Sequence, residues 1–258
     1  MWESKSIVFS QMDKSNIDLV LEGTIPALII KSFYSKSNCE KLLDEFKKQK
    51  TNEFENDKLD HLGPFLMKYT TNKTKYFQEA KRAKKIFDII FDKMENPLQK
   101  THDKFQEIFP KFDVTIANEN DHEYSRCVVR VHKKGKKIQI HKDNVTYEGK
   151  EYNISNIDKQ LSCVLHLQKS ERGGELTMYN KKWTKKDERN REIMFGYTDK
   201  VISNYNKCRI CNIEQGDMVI INPNYYHSVS EIRGKTPRIT LGVFLGLHLN
   251  KMKIVSWA

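Results

Sequence analysis

Hydrophobic positions along the chain follow two regimes. The first is mostly helical. "IPALIIKSFY" is a compact apolar run that predicts a strand. In "SNCEKLLDEFKKQ", Cys39, Leu42, Leu43 and Phe46 recur at helical spacing, and Ser37 with Glu40 forms a capping box at the start of the predicted helix. Ala80, Ala83, Phe87 and Ile90 mark a second amphipathic helix between about Lys75 and Met94, ended by Pro97. "PLQKTHDKFQEIFP" predicts one further short helix. From about Phe112 the period changes. "FDVTIAN", "RCVVRVH", "KIQIH", "LSCVLHLQ", "GELTMYN", "DMVIIN" and "RITLGVFLG" are short runs rich in β-branched residues. Gly135, Gly149, Gly173, Gly174, Gly216 and Gly234 punctuate them.

Helices followed by many short strands predict an α+β chain: a double-stranded β-helix, or jelly roll, with N-terminal supporting helices. No internal repeat, low-complexity tract or Pro/Gly-rich linker divides the sequence. The expectation is one domain over 1–258, with mostly helical support over about 1–115 and the jelly-roll core over about 116–258. The stretch from Lys181 to Asn206 is long and polar, and predicts a lid-like insertion over the mouth of a site.

A chain of 258 residues buries enough surface to need no disulfide staples. Its five cysteines form no dense framework, which predicts a reducing, cytoplasmic setting. Cys208 and Cys211 make a lone CxxC pair, and without a second pair they predict small apolar residues rather than zinc ligands. The N-terminus carries no signal-peptide pattern, and no apolar run is long enough for a membrane span. The net charge of +11 comes from scattered lysines without interleaved aromatics. That predicts a solvated basic surface and no nucleic-acid partner, while a small anionic co-substrate gains from the field.

The candidate chemistry begins in "KKIQIHKDN". Alternation along a strand turns His141 and Asp143 the same way, as two ligands for one metal ion. A third stands in "GDMVIINPNYYHSVSEIRGKTPRITLG", where a strand runs into a Pro-containing turn and His227 opens the next strand. Two histidines and one carboxylate make a facial triad, which leaves three octahedral positions open for a bidentate oxo acid and dioxygen. Arg238, eleven residues beyond His227, offers a planar fork to the far carboxylate of such an acid. Thr240 shares its strand face and adds a hydroxyl. Arg233 competes as the anchor but precedes a glycine in the expected turn.

His141, Asp143, His227 and Arg238 in this order resemble the Fe(II)/2-oxoglutarate-dependent dioxygenases. "HKKGKKIQIHKD" is similar to the YxxGxxYxxHxD segment of the prolyl-4-hydroxylase-like branch, with Gly135 in place and His132 and Ile138 replacing the aromatics. "IPALIIKSFYSKSNCEKLLDEF" is similar to the opening of the same branch. From about Ser125 onward, "GGELTMYNKKW", "YYHSVSEIRGKTPRITLGVFL" and "IVSWA" resemble the welwitindolinone-type alkaloid halogenases. In those halogenases glycine replaces the motif's carboxylate and frees a coordination site for halide. Here that residue is Asp143. The resemblance therefore implies a small-molecule hydroxylase that uses Fe(II), 2-oxoglutarate and O2, helped in vitro by ascorbate. It also implies a co-substrate contact for His166. Tyr179, Trp183 and Tyr225 are candidates for the substrate site, and Glu175 for a supporting hydrogen bond. Peptidyl hydroxylation, desaturation and ring closure share the same hydrogen-abstraction step. Nucleic-acid demethylation is disfavoured because Phe244 stands where the repair dioxygenases carry a second arginine.

Overall fold

The computed structural model describes residues 2–48, 61–193 and 196–258. The chain opens with β1 (Lys5–Val8), α1 (Lys14–Glu22), β2 (Leu28–Lys31) and α2 (Lys36–Lys48). β3 (His61–Leu62) precedes two longer helices, α3 (Lys73–Phe91) and α4 (Pro97–Ile108). Next come β4 (Asp113–Ile116), a small hairpin of β5 (Asn118–Glu119) and β6 (His122–Glu123), then β7 (Val128–His132) and β8 (Ile138–His141). A helical turn, α5 (Val145–Glu148), leads to β9 (Lys159–Gln168) and β10 (Leu176–Lys182). β11 (Arg191–Ile193) and β12 (Gly196–Tyr197) pair with each other, and β13 (Lys207–Ile210) follows. β14 (Met218–Ile221), β15 (Tyr225–Val229), β16 (Arg238–His248) and β17 (Lys253–Trp257) complete the chain.

The strands build the two sheets of a jelly roll. The larger runs β1-β2-β14-β9-β16-β17-β4, with β7 alongside the first half of β16 and β3 on β7. The smaller runs β13-β10-β15-β8. The α+β jelly roll with supporting helices is thus present.

Alternation gives the large sheet two different faces. Leu161, Cys163, Leu165 and Leu167 of β9, Met218 and Ile220 of β14, and Leu241, Val243, Leu245 and Leu247 of β16 pack outward. They meet Ile17 and Val20 of α1, Leu42 and Phe46 of α2, Phe87 and Ile90 of α3, and Phe105 of α4 in one core. The intervening residues turn inward, to the space between the sheets: Ser162, Val164 and His166, then Val219 and Ile221, then Arg238, Thr240 and Phe244. Both faces are covered, so β16 reads as a nearly continuous apolar run.

The helices differ in detail from the sequence expectation. Ser35, not Ser37, caps α2: its Oγ accepts from the Asn38 amide at 3.0 Å. Pro97 opens α4, with the Asn96 side chain accepting from Leu98 N and Gln99 N. α1 was not foreseen. Asp13 caps it, and Gly23 in the left-handed region ends it.

A candidate iron and oxo-acid centre

β8 and β15 pair antiparallel with His141 directly opposite His227, and this register sets the imidazoles side by side at 4.1 Å between ring centroids. His227 sits mid-strand rather than at the strand start. Asp143 lies just past the end of β8, held there by its amide, which donates to Pro223 O at 2.9 Å. Asp143 Oδ2 is 3.5 Å from His227 Nε2 and 3.8 Å from His141 Nε2. One donor atom from each residue falls within 4.8 Å of the others, and among the described residues this is the one such group of three or more.

Both imidazoles are oriented from behind. His141 Nδ1 lies 2.8 Å from Gln139 O, and His227 Nδ1 lies 2.9 Å from Tyr225 O. A carbonyl can only accept, so each Nδ1 carries the proton and each Nε2 lone pair faces Asp143. Burial drives the His141 pKa down to about 4, with the neighbouring His227 adding to the effect. Burial alone would raise the Asp143 carboxyl. The closeness of His227, and of His141 and Arg130, nevertheless holds it well below the usual carboxylate range. A neutral His141 beside an ionised carboxylate is in the ligand state a divalent metal requires.

The triad faces a cavity of about 530 Å³ between the sheets. At one end stands Arg238, the first residue of β16 and only 6% exposed. Its stem passes Gly174 (φ +77°), where an added Cβ would come within 2.9 Å of Arg238 Cδ. Its Nη1 is 3.3 Å from His132 Nδ1, and its Nε, fully buried, has no partner among the described residues. A cavity-lining arginine with an unpartnered guanidinium N–H fits an oxo acid carboxylate. Thr240 pairs across to His166, and both are buried at the same end. Burial, and then the charge of Arg238, keeps His166 neutral.

Several sequence candidates lie elsewhere. Tyr179 does not line the cavity, because its parity on β10 is opposite to that of Leu176, and its hydroxyl meets Ser228 Oγ at 3.3 Å. Trp183 donates through Nε1 to Glu188 at 2.7 Å and packs on Tyr147. Tyr225 lies over Gly23 and Trp2. Glu175 binds Ser230 and Arg209 outside the cavity, and Arg233 is bridged through its backbone to Arg172. Cys208 and Cys211 are free thiols. The 181–206 stretch holds two short 3-10 helices and the β11–β12 pair, and Arg191 ties it to Glu148 at 2.5 Å.

Other residues reach the cavity unforeseen. His61, Phe65, Met67 and Lys68 come from the N-terminal half, and Arg130 comes from β7. Arg130 had a signal: it is a charged residue inside the apolar run "RCVVRVH", at the same parity as His132.

The sequence matches the family of the carrier-protein-independent halogenase WelO5 over residues 8–258, nearly the whole chain. It is 30% identical over 143 residues to the leucinostatins biosynthesis cluster protein S of Purpureocillium lilacinum. That alignment takes in 53% of this chain and 57% of the relative. The fold is shared with an N-substituted L-amino acid dioxygenase of Burkholderia ambifaria, with a TM-score of 0.65 at 12% identity over 95% of this chain and 91% of that one. HygX of Streptomyces hygroscopicus, solved with nickel and 2-oxoglutarate, gives a TM-score of 0.53 at 12% identity over 92% and 88%. The chain belongs to the WelO5 family, a family of iron- and 2-oxoglutarate-dependent oxygenases, and spans a little over half the length of the curated relative it matches. Among the described residues, no helix is long and apolar enough to cross a membrane.

Proposed function

We propose that this member of the WelO5 family hydroxylates an unactivated C–H bond of a small molecule, an amino acid or a natural-product intermediate, releasing succinate and CO2. His141, Asp143 and His227 would hold Fe(II). Arg238, with Thr240 and His166 beside it, would hold 2-oxoglutarate. When bound, iron supplies the activation of dioxygen, coupled to decarboxylation of the oxo acid, and so the oxidant for C–H cleavage. The whole chain would act as one catalytic unit, with the 181–206 insertion packed at the His141–Asp143 end.

The observation that carries hydroxylation is Asp143. Its carboxylate faces both Nε2 atoms and completes a three-ligand set, where a glycine would leave room for a halide. The protein's own part is arrangement. Gln139 O and Tyr225 O fix the imidazole tautomers. The outward leucines of β9 and β16 hold the cavity wall against the helices and away from water. A cavity of about 530 Å³ suits a free small molecule. The compounds named for the Burkholderia neighbour, N-substituted L-amino acids, belong to the class this reading has in view.

The test is succinate formation by anaerobically reconstituted protein given Fe(II), 2-oxoglutarate and O2, with a panel of free amino acids and alkaloid-like amines, in buffers with and without chloride. The expected product gains one oxygen atom in both buffers, and in the chloride-free buffer Asp143→Ala abolishes iron-dependent succinate. A chlorinated product from the unmodified protein would overturn the assignment.

A further inference from the structure

Rows of side chains cross the cavity floor. On one edge of β16, Arg238 lies opposite His132 and Thr240 opposite Arg130. On the other edge, Thr240 lies opposite His166 and Gly242 opposite Val164. The charged and imidazole side chains therefore stop at the Thr240 row, and beyond it the floor is Val164 and Phe244, with Ser162 opposite Phe244. Arg130 stands on that boundary and leans to the apolar side. A Cβ on Gly242 would come within 3.0 Å of its Nη1, and the Phe65 ring centroid lies 5.3 Å from its guanidinium carbon. Glycine at 242 gives the guanidinium its room, and Phe65 covers it.

Arg130 is half-buried, and an arginine largely withdrawn from water ordinarily has an anionic partner. Among the described residues, Arg130 makes no hydrogen bond and no ion pair. Asp143 is the one carboxylate among the described residues that line the cavity, and it belongs to the candidate metal site. Charge counting isolates Arg130 further. Fe(II) and Arg238 together would balance Asp143 and the two carboxylates of the oxo acid. Lys68, the other cation at the cavity, is exposed to solvent. Arg130 is left as a half-covered charge whose one opposite charge among the described residues, Asp143, is shared with the candidate metal site.

We propose that Arg130 anchors a carboxylate of the substrate, so that the compound oxidised is an organic acid whose apolar body lies against Phe65, Val164, Val219 and Phe244. The assignment rests on the oxygenase reading above. A guanidinium fork presented bidentately to a carboxylate fixes orientation as well as affinity, and would set one C–H bond of the acid toward the metal centre.

The experiment measures binding without turnover. Protein loaded with Mn(II) and 2-oxoglutarate is titrated calorimetrically with hexanoate, indole-3-acetate and N-acetyl-L-leucine, and with the methyl ester of each. At least one acid is expected to bind about 10- to 100-fold more tightly than its ester, the worth of one charge-assisted pair. Arg130→Met should erase that preference while the 2-oxoglutarate Kd stays within about twofold, since a single lost contact of this kind belongs to the substrate alone. Gly242→Ala keeps the charge but displaces the guanidinium, and should weaken the acid more than the ester. Acids that bind no better than esters overturn the proposal, and so does an Arg130→Met protein that keeps the preference. If Arg130→Met abolishes 2-oxoglutarate binding, Arg130 belongs to the co-substrate site and the proposal falls. Unmodified protein that binds neither Mn(II) nor 2-oxoglutarate overturns the oxygenase reading itself.

Discussion

Replacing Arg238 with methionine should make the protein blind to 2-oxoglutarate while leaving the fold at least as stable. The two effects have opposite signs because Arg238 is a covered charge with little in the apo protein to satisfy it. Its Nε has no partner among the described residues, and its Nη1 has only His132 at 3.3 Å. Burial first, and the charge of Arg130 second, pull its pKa down from 12.5 to about 10. That depression means the charged form costs the apo fold on the order of 3 kcal/mol at neutral pH. Methionine of similar length removes this cost and loses one weak hydrogen bond. Binding runs the other way, because truncating one partner of a buried charge pair costs about 2–5 kcal/mol, or roughly 30-fold to a few thousandfold in Kd. The assay is thermal melting with and without 2-oxoglutarate in the presence of Mn(II). At a hundred times its Kd the co-substrate adds about 2.7 kcal/mol, which raises the melting temperature of a chain this size by about 5–10 °C. Arg238→Met should show no such rise, and without co-substrate should melt no lower than the unmodified protein. A full 2-oxoglutarate rise in the variant, or early melting without it, refutes the reasoning.

Two further outcomes follow from local geometry. Gly174 and Gly135 both have φ near +80°, but an added methyl at Gly174 meets Ile232 Cδ1 at 2.7 Å and Arg238 Cδ at 2.9 Å, whereas at Gly135 nothing lies within 4 Å. Gly135→Ala should therefore cost only the strain of about 1–2 kcal/mol, and Gly174→Ala should also raise the 2-oxoglutarate Kd, read by calorimetry. His102 is buried with Nε2 at 2.8 Å from Ser256 Oγ, and burial lowers its pKa from 6.5 to about 4. Its neutral form is the one the fold prefers, so this stability is complete above pH 6.5 and is lost as pH falls toward 4, by about 3 kcal/mol. Melting curves of His102→Gln should flatten over that window relative to the unmodified protein.

The meeting of His141, Asp143, His227 and Arg238 at one cavity was legible because each depends on local order: an HxD at a strand end, a histidine after a Pro turn, an arginine at the next strand start. The seven β runs were legible because the β-branched residues in them need a pleated, covered surface. Parity within a strand was harder to read. Tyr179 looks like a pocket residue in "GELTMYN", yet the inward residues of β10 are Leu176 and Met178, so Tyr179 faces away. Trp183 was drawn off by a local partner, Glu188, five residues on. α1 escaped notice because its apolar face is narrow, with only Ile17 and Val20 buried among its hydrophobic residues. Arg130 was hidden by being judged as part of a strand rather than as an exception to it.

One alternation serves both stability and chemistry, and this decides where specificity can change. On β9, β14 and β16 the outward residues are leucine, isoleucine, valine, cysteine and methionine locked into the helical layer. A large-to-small change there, such as Leu165→Ala, costs about 2–5 kcal/mol and moves the floor of the site with it. The inward residues of the same strands include Arg238, Thr240 and His166, proposed to hold the co-substrate, and leave little freedom. The opposite wall is built differently. Phe65, Met67 and Lys68 come from the segment after β3 and touch the cavity without belonging to the sheet ladder. Substitutions there can reshape the apolar half while the triad and Arg238 keep their register. Relatives that act on different compounds should therefore vary in this segment, and at the position of Arg130, before they vary in the strands that carry His141, Asp143 and His227.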